Sequence, residues 1–199
     1  MSISLVKGQK IDLTKNNSGL KKLIVGLGWD PVKKEKKGLF NFGAPKADVD
    51  VDASVIMLRN DKLVSKEDVI FFKNLKSRCG GVTHMGDNLT GGGDGDDEQI
   101  LVDLSKIPQD VNKLIFVTNI YGCIQRKQSF GMIQNAFIRI ADESNNQNIA
   151  MFNLTEDYNG KTALIVGELY RYNSEWKFNA IGEGTQDTSI SDMLNKYSN

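Results

Sequence analysis

Apolar residues along this chain come in short runs rich in β-branched and aromatic side chains, at residues 23–27, 53–58, 69–72, 100–104, 114–120, 136–140, 149–152, 162–172 and 176–181. Gly, Asn, Asp and Pro stand between the runs, and helical spacing is scarce. Many short strands punctuated by turn residues predict an all-β fold, an antiparallel β-sandwich of two sheets with minor helical turns. The clearest hairpin joins 167–172 to 175–180 through Asn173 and Ser174. Near the C-terminus Ile190, Met193, Leu194 and Tyr197 recur at helical spacing, with Ser189 or Ser191 placed to cap them, so a short helix is predicted within residues 189–197. A second helical stretch is marked at 124–129. Residues 31–47, with the Lys-rich run 32–37 and a close near Pro45, read as a flexible loop.

Composition narrows the picture only a little. A chain of 199 residues with 40% hydrophobic and 25% charged residues suits one globular domain over residues 1–199. The 25 basic residues balance the 25 acidic ones, so no overall field draws the protein to nucleic acid or to an anionic membrane. Residues 1–12 alternate polar and apolar, and no apolar run is long enough for a signal peptide or a membrane span, which predicts a cytoplasmic protein that does not itself cross a membrane. In that compartment Cys79 and Cys123 would be free thiols.

Two acidic segments change the picture more. Asp48, Asp50 and Asp52 alternate with Val49, Val51 and Ala53 at the mouth of a predicted strand, so an extended chain points the carboxylates one way. Like charges so close call for a cation or a proton. The second segment carries Asp87, Asn88, Leu89, Asp94, Asp96, Asp97 and Glu98 among five glycines, Gly86, Gly91, Gly92, Gly93 and Gly95. Glycines let the backbone turn and present carbonyl oxygens, and the carboxylates are hard anionic donors. Calcium takes such oxygens in flexible geometry, whereas zinc and copper favour His or Cys, and His84 is the single histidine. If Asp50, Asp52, Asp87, Asp96, Asp97 and Glu98 converge, their combined charge favours about two calcium ions over one. The spacing is not that of an EF-hand, which would need Gly and Glu where Ala53 and Arg59 stand.

With these residues laid out, the chain resembles the TerD family of tellurium-resistance and general stress proteins, and within it the YceC-like branch. The matching stretches are residues 7–13, 26–30, 50–55, 86–91, 95–98, 130–139 and 167–178, among which Gly-Asp-Asn-Leu-Thr-Gly at 86–91 followed by Gly-Asp-Asp-Glu at 95–98 is the most specific. The resemblance implies a calcium-binding β-sandwich whose ligands are Asp50, Asp52, Asp87, Asn88, Leu89, Asp96, Asp97 and Glu98, with Asp30, Asp48 and Asp94 secondary. It also implies partners among other stress or tellurium-resistance proteins and a membrane protein. The run 32–37 departs from shorter family members, and no role transfers to it.

Other side chains carry less. Cys79, His84 and Cys123 lack a paired zinc spacing, Glu168 and Arg171 in the hairpin suggest structural ion pairs with one another or with residues on the adjoining strand, and Trp29, Trp176 and Phe178 suggest core. No nucleophile triad or cofactor fingerprint appears, so no enzyme is predicted. The alternatives are a metal-dependent hydrolase or phosphate-handling enzyme built on the same acids, with His84 as its histidine, and a thiol protein reducing tellurite through Cys79 or Cys123.

Overall fold

In a computed structural model, which describes residues 2–15, 17–32, 49–86 and 95–198, the apolar runs become strands. They are β1 (Ile3–Leu5), β2 (Lys10–Asp12), β3 (Lys22–Pro31), β4 (Val51–Leu58), β5 (Val69–Ile70), β6 (Val82–His84), β7 (Glu98–Asp103), β8 (Lys113–Ile120), β9 (Ile133–Asp142), β10 (Gln147–Asn153), β11 (Ala163–Tyr172) and β12 (Glu175–Thr185). Two six-stranded sheets result, ordered β1-β10-β9-β3-β7-β6 and β2-β12-β11-β8-β4-β5. All pairings are antiparallel except that of β1 with β10. Among the described residues the short strands β1, β2, β5 and β6 lie at the edges, where brevity limits the exposed template.

Alternation decides which side chains fill the space between the sheets. From β3 come Leu23, Val25, Leu27 and Trp29, from β4 Val51, Ala53, Val55 and Met57, and from β7 Ile100 and Val102, all in one buried cluster. Trp29, Trp176 and Phe178 join it, as their aromatic bulk suggests. The opposite side of β4 supplies Ile56 and Leu58 to a second cluster with Ile115, Val117, Ala163, Ile165 and Met193. Met193 belongs to the predicted C-terminal helix, which runs as α-helix over Ile190–Leu194 and continues as a 3-10 turn over Asn195–Tyr197. Ser189 caps it by accepting from the Asp192 N–H at 3.2 Å. Sheet two is therefore apolar on both faces, which is why β4 reads as a near-continuous apolar run.

The hairpin turns at Asn173 and Ser174, both at positive φ (51° and 67°), as a two-residue turn between right-twisted strands requires. The segment marked at 124–129 overlaps a single helical turn, Cys123–Arg126, which starts one residue earlier. The run 69–72 yields only the two-residue β5, because Phe71 instead pairs back onto Asn74 in a tight turn. Glu168 and Arg171 do not pair with each other. Three residues apart on a strand, they point to opposite faces: Glu168 accepts from the cross-strand Asn179 amide (3.0 Å), while Arg171 donates to the Ile107 carbonyl (2.8 Å) and lies over the Trp176 ring (4.4 Å). Nearly all of the proposed loop 31–47 lies outside the described residues.

Candidate metal-binding site

Of the predicted ligands, Asp48, Asp87, Asn88, Leu89 and Asp94 lie outside the described residues. The others are delivered by β3, by β4 and its approach, and by the bend entering β7. Alternation would set Asp96 and Glu98 on one face, but the strand begins only at Glu98, after Gly95 at φ 111°. The bend separates them. Glu98 shares the inward face with Ile100 and Val102 and is 2% exposed. Asp96 folds over the outer side of the same sheet.

Asp96 meets a cation there. Arg139 on β9 grips it with a fork, Nε to Oδ1 and Nη2 to Oδ2, both at 2.6 Å, and Gln99 donates to Oδ2 at 2.9 Å. The fork needs clearance, and Gly26 of β3 supplies it: any side chain at that position would collide with the Asp96 carboxylate. Arg139 is itself steadied by Asn148 (2.7 Å) and Asn146 (3.2 Å). Nothing in the sequence marks Arg139 as part of an acidic site; its partner two strands away becomes apparent only once β3 is seen to separate β9 from β7.

The neighbouring Asp97 lies close to other acids. Its Oδ2 accepts from the Trp29 N–H at 2.7 Å. Burial pushes its carboxyl above the ordinary carboxylate value; the Trp29 N–H works against this, and the charges of Asp30 and Asp96 add to it. Asp30 accepts from the Asn135 amide at 2.8 Å. Acids therefore crowd acids at this corner, as the sequence spacing suggests, but around Asp97 and Asp30.

On the inward side Glu98 crosses to the second sheet. Among the described residues no strand lies beside Ala53 on the β4 edge beyond the short β5, and Glu98 Oε2 accepts the Ala53 N–H at 2.8 Å. His84, at the end of β6, faces the Ala53 carbonyl with Nε2 (3.1 Å) and lies 3.4 Å from the same Glu98 oxygen. Its Nδ1 accepts the Gly86 N–H at 3.2 Å, so the ring proton sits on Nε2 and is donated toward Ala53 and Glu98. Both side chains are buried. Asp52, next to Ala53, is buried opposite Asn119, and Asp50 lies 3.4 Å from the Arg126 guanidinium.

Among the described residues, no three His, Cys, Asp or Glu side chains close into a metal cage. The placed donors are nevertheless carboxylates, the ligand type a hard divalent cation takes, and calcium suits them better than zinc because both His84 nitrogens are engaged. Cys79 lies against Ser77 and Gly81, and Cys123 faces the Thr188 carbonyl, so neither thiol joins His84. The sequence-level count of six uncompensated charges drops once Arg139 and Arg126 are placed beside Asp96 and Asp50.

No helix among the described residues is long and apolar enough to cross a membrane. The chain is 57% identical over 199 residues to Stress response protein SCP2 of Bacillus subtilis (strain 168), covering 99% of this chain and 100% of that one. It is 44% identical over 185 residues to Tellurium resistance protein TerD of Serratia marcescens, covering 92% and 91%. Among solved structures, a homologue of telluride resistance protein (TerD) from Streptomyces coelicolor A3(2) superposes with a TM-score of 0.66 at 21% identity, over 87% of this chain and 95% of that one, a likeness of fold. The TerD domain model matches residues 1–197, and the chain belongs to the TerD family of stress-response and tellurium-resistance proteins.

Proposed function

We propose that this protein is a non-catalytic calcium-binding module of the stress response, in which ions brace the acidic loops at one end of the sandwich and shape a surface for a partner. The observation that carries the reading is the bond from the Ala53 N–H to Glu98, which ties the end of the Gly-Asp-Asp-Glu segment to the strand beginning Val51-Asp52. Residues 87–94, with Asp87, Asn88, Leu89 and Asp94, connect Gly86, whose N–H His84 Nδ1 accepts, to Gly95, which leads into Asp96, Asp97 and Glu98. Asp30 on β3 and Asp97 in the bend before β7 supply a second, crowded pair of carboxylates.

Calcium would supply positive charge to acids that otherwise repel, and its binding would add to stability. Asp97, Glu98 and Asp52 lead the ligand set, together with the acids of residues 87–94. Asp96 is left out because Arg139 holds both its oxygens. About two ions follow from the sequence count, but the two arginines reduce that requirement, and stoichiometry decides between one and two. The relatives' names point to partners among stress and tellurium-resistance proteins, and a membrane-protein partner follows from the family resemblance. Among the described residues both His84 nitrogens face protein groups and neither thiol lies beside His84, which favours the binding module over the hydrolase and tellurite-reduction readings.

Calorimetry on metal-stripped protein tests this directly. Calcium should bind with one or two sites per chain and more tightly than magnesium, which wants a stricter octahedron and keeps its waters. Equal affinity for the two ions, or no heat with either, rejects the reading.

A further inference from the structure

We infer that His84 is the positioning residue of the acidic end: one buried imidazole holds, at the same time, the Gly86 amide two residues on, the strand that carries Asp52 and the carboxylate that closes Gly-Asp-Asp-Glu. The inference rests on the calcium reading above and adds to it the device that sets the geometry. His84 touches three separate chain segments. Nδ1 receives the Gly86 N–H (3.2 Å), Nε2 faces the Ala53 carbonyl (3.1 Å), and the same Nε2 lies 3.4 Å from Glu98 Oε2.

The arrangement at Ala53 takes the role of a ladder partner. Strand β5 pairs with β4 only at Val55 and Ile56, and among the described residues no strand pairs with the N–H and C=O of Ala53 on that edge. Buried backbone groups must be satisfied, and here Glu98 provides the acceptor and His84 the donor. The two side chains come from β6 and β7 of the opposite sheet, so this contact joins the sheets at the point where the acidic segments meet. A ring with one donor and one acceptor nitrogen, each aimed at a different segment, is what a neutral imidazole alone offers; Gln or Asn reproduces only one arm. Groups that orient a ligating carboxylate influence metal affinity without touching the metal.

Three substitutions test the assignment. His84→Gln keeps an amide near Nε2 and loses the Gly86 arm, His84→Asn keeps an acceptor near Nδ1 and loses the Ala53 and Glu98 arm, and His84→Phe loses both. In chelator, hydrogen exchange of the Gly86 amide should quicken in His84→Gln and stay slow in His84→Asn. On the folded variants, calcium affinity should fall about 10- to 100-fold in His84→Phe, with Gln and Asn between it and the parent. Should His84→Phe not fold, the two amide variants carry the test. If Gln and Asn both bind calcium as tightly as the parent, or Gly86 exchange does not respond, His84 is an ordinary core residue and the inference falls alone. A parent that binds no calcium removes the calcium reading, and this inference with it.

Discussion

Asp96 and Asp97 are adjacent in sequence, chemically identical and electrostatically opposite. Asp96 is 2% exposed at its side chain and gripped by Arg139, a cation the chain supplies itself. Asp97 has a backbone N–H from Trp29 for company and carboxylates for neighbours, and its proton is held more tightly than usual. One acid is held by a cation of the fold; the other is held by a backbone N–H and crowded by further acids. The difference teaches that an acidic motif is not a list of ligands. Within Gly-Asp-Asp-Glu the first acid anchors the segment to the sheet, the second is presented at the corner, and the third reaches through to the other sheet.

The comparison breaks most visibly at Arg139. Removing one partner of a buried ion pair leaves the other uncompensated, at a cost of about 3–5 kcal/mol. Arg139→Ala should therefore lower stability by that order in urea unfolding, with or without calcium. Adding Asp96→Asn to Arg139→Ala should recover part of the loss, since no buried charge is then left unpaired. Additive losses would mean that the fork is incidental to the segment's position.

Next comes Asp97, where the effect should depend on calcium. Linkage gives the parent a gain of roughly 3 kcal/mol at calcium about a hundred times above the dissociation constant. Asp97→Asn should abolish most of that gain while leaving the calcium-free protein as stable as the parent or slightly more so, because one of several repelling charges is gone. Thermal unfolding in chelator and in calcium measures both arms. Equal shifts in parent and variant would show that Asp97 and Asp96 do not differ in kind.

A smaller effect of acidity sharpens the same point. Asp97's folded pKa is raised above its unfolded value, so the native state holds that proton more tightly, and its contribution to stability is present at low pH. That contribution is lost as pH rises through the folded pKa. In chelator the parent should therefore lose stability relative to Asp97→Asn over the window between the ordinary carboxylate value and the raised one. Calcium affinity should weaken in the same window as pH falls, because proton and ion compete. A parent-minus-variant difference that is flat across this window would remove the crowding argument.

How far the sequence alone could go follows from which contacts are local. The two-sheet fold is legible because alternation and turn residues are local signals, as at Asn173 and Ser174 and along β11 and β12. The edge strands β1, β2 and β6 are not, since three residues carry too little pattern. At the acidic end, Asp50, Asp52, Asp97 and Glu98 stand out as charges at unusual spacing. Arg139, Gly26 and His84 do not, because their meaning depends on strand order: Arg139 reaches Asp96 across β3, Gly26 makes the gap, and His84 meets Ala53 across the sheets. Sequence charge counting overstated the uncompensated acids for that reason.

The smallest expected effect lies at the turn between β11 and β12 and serves as the contrast to all of these. Ser174 sits at φ 67°, where a side chain costs conformational energy that glycine avoids. The preceding Asn173, at φ 51°, is already a residue that tolerates this region, and Asn-Gly is the preferred pair for a two-residue turn of this kind. Against the relief stands the larger entropy glycine loses on folding, so Ser174→Gly should stabilise by only about 0.5 kcal/mol. Because the turn joins β11 to β12 and touches none of the acids, that gain should be the same in chelator and in calcium, and at any pH across the Asp97 window. Urea unfolding of parent and variant under the two conditions measures it. A gain that appears only with calcium would mean that the acidic end is coupled to the far hairpin through the sheet, and that the contrast between Asp96 and Asp97 is not confined to their corner of the molecule.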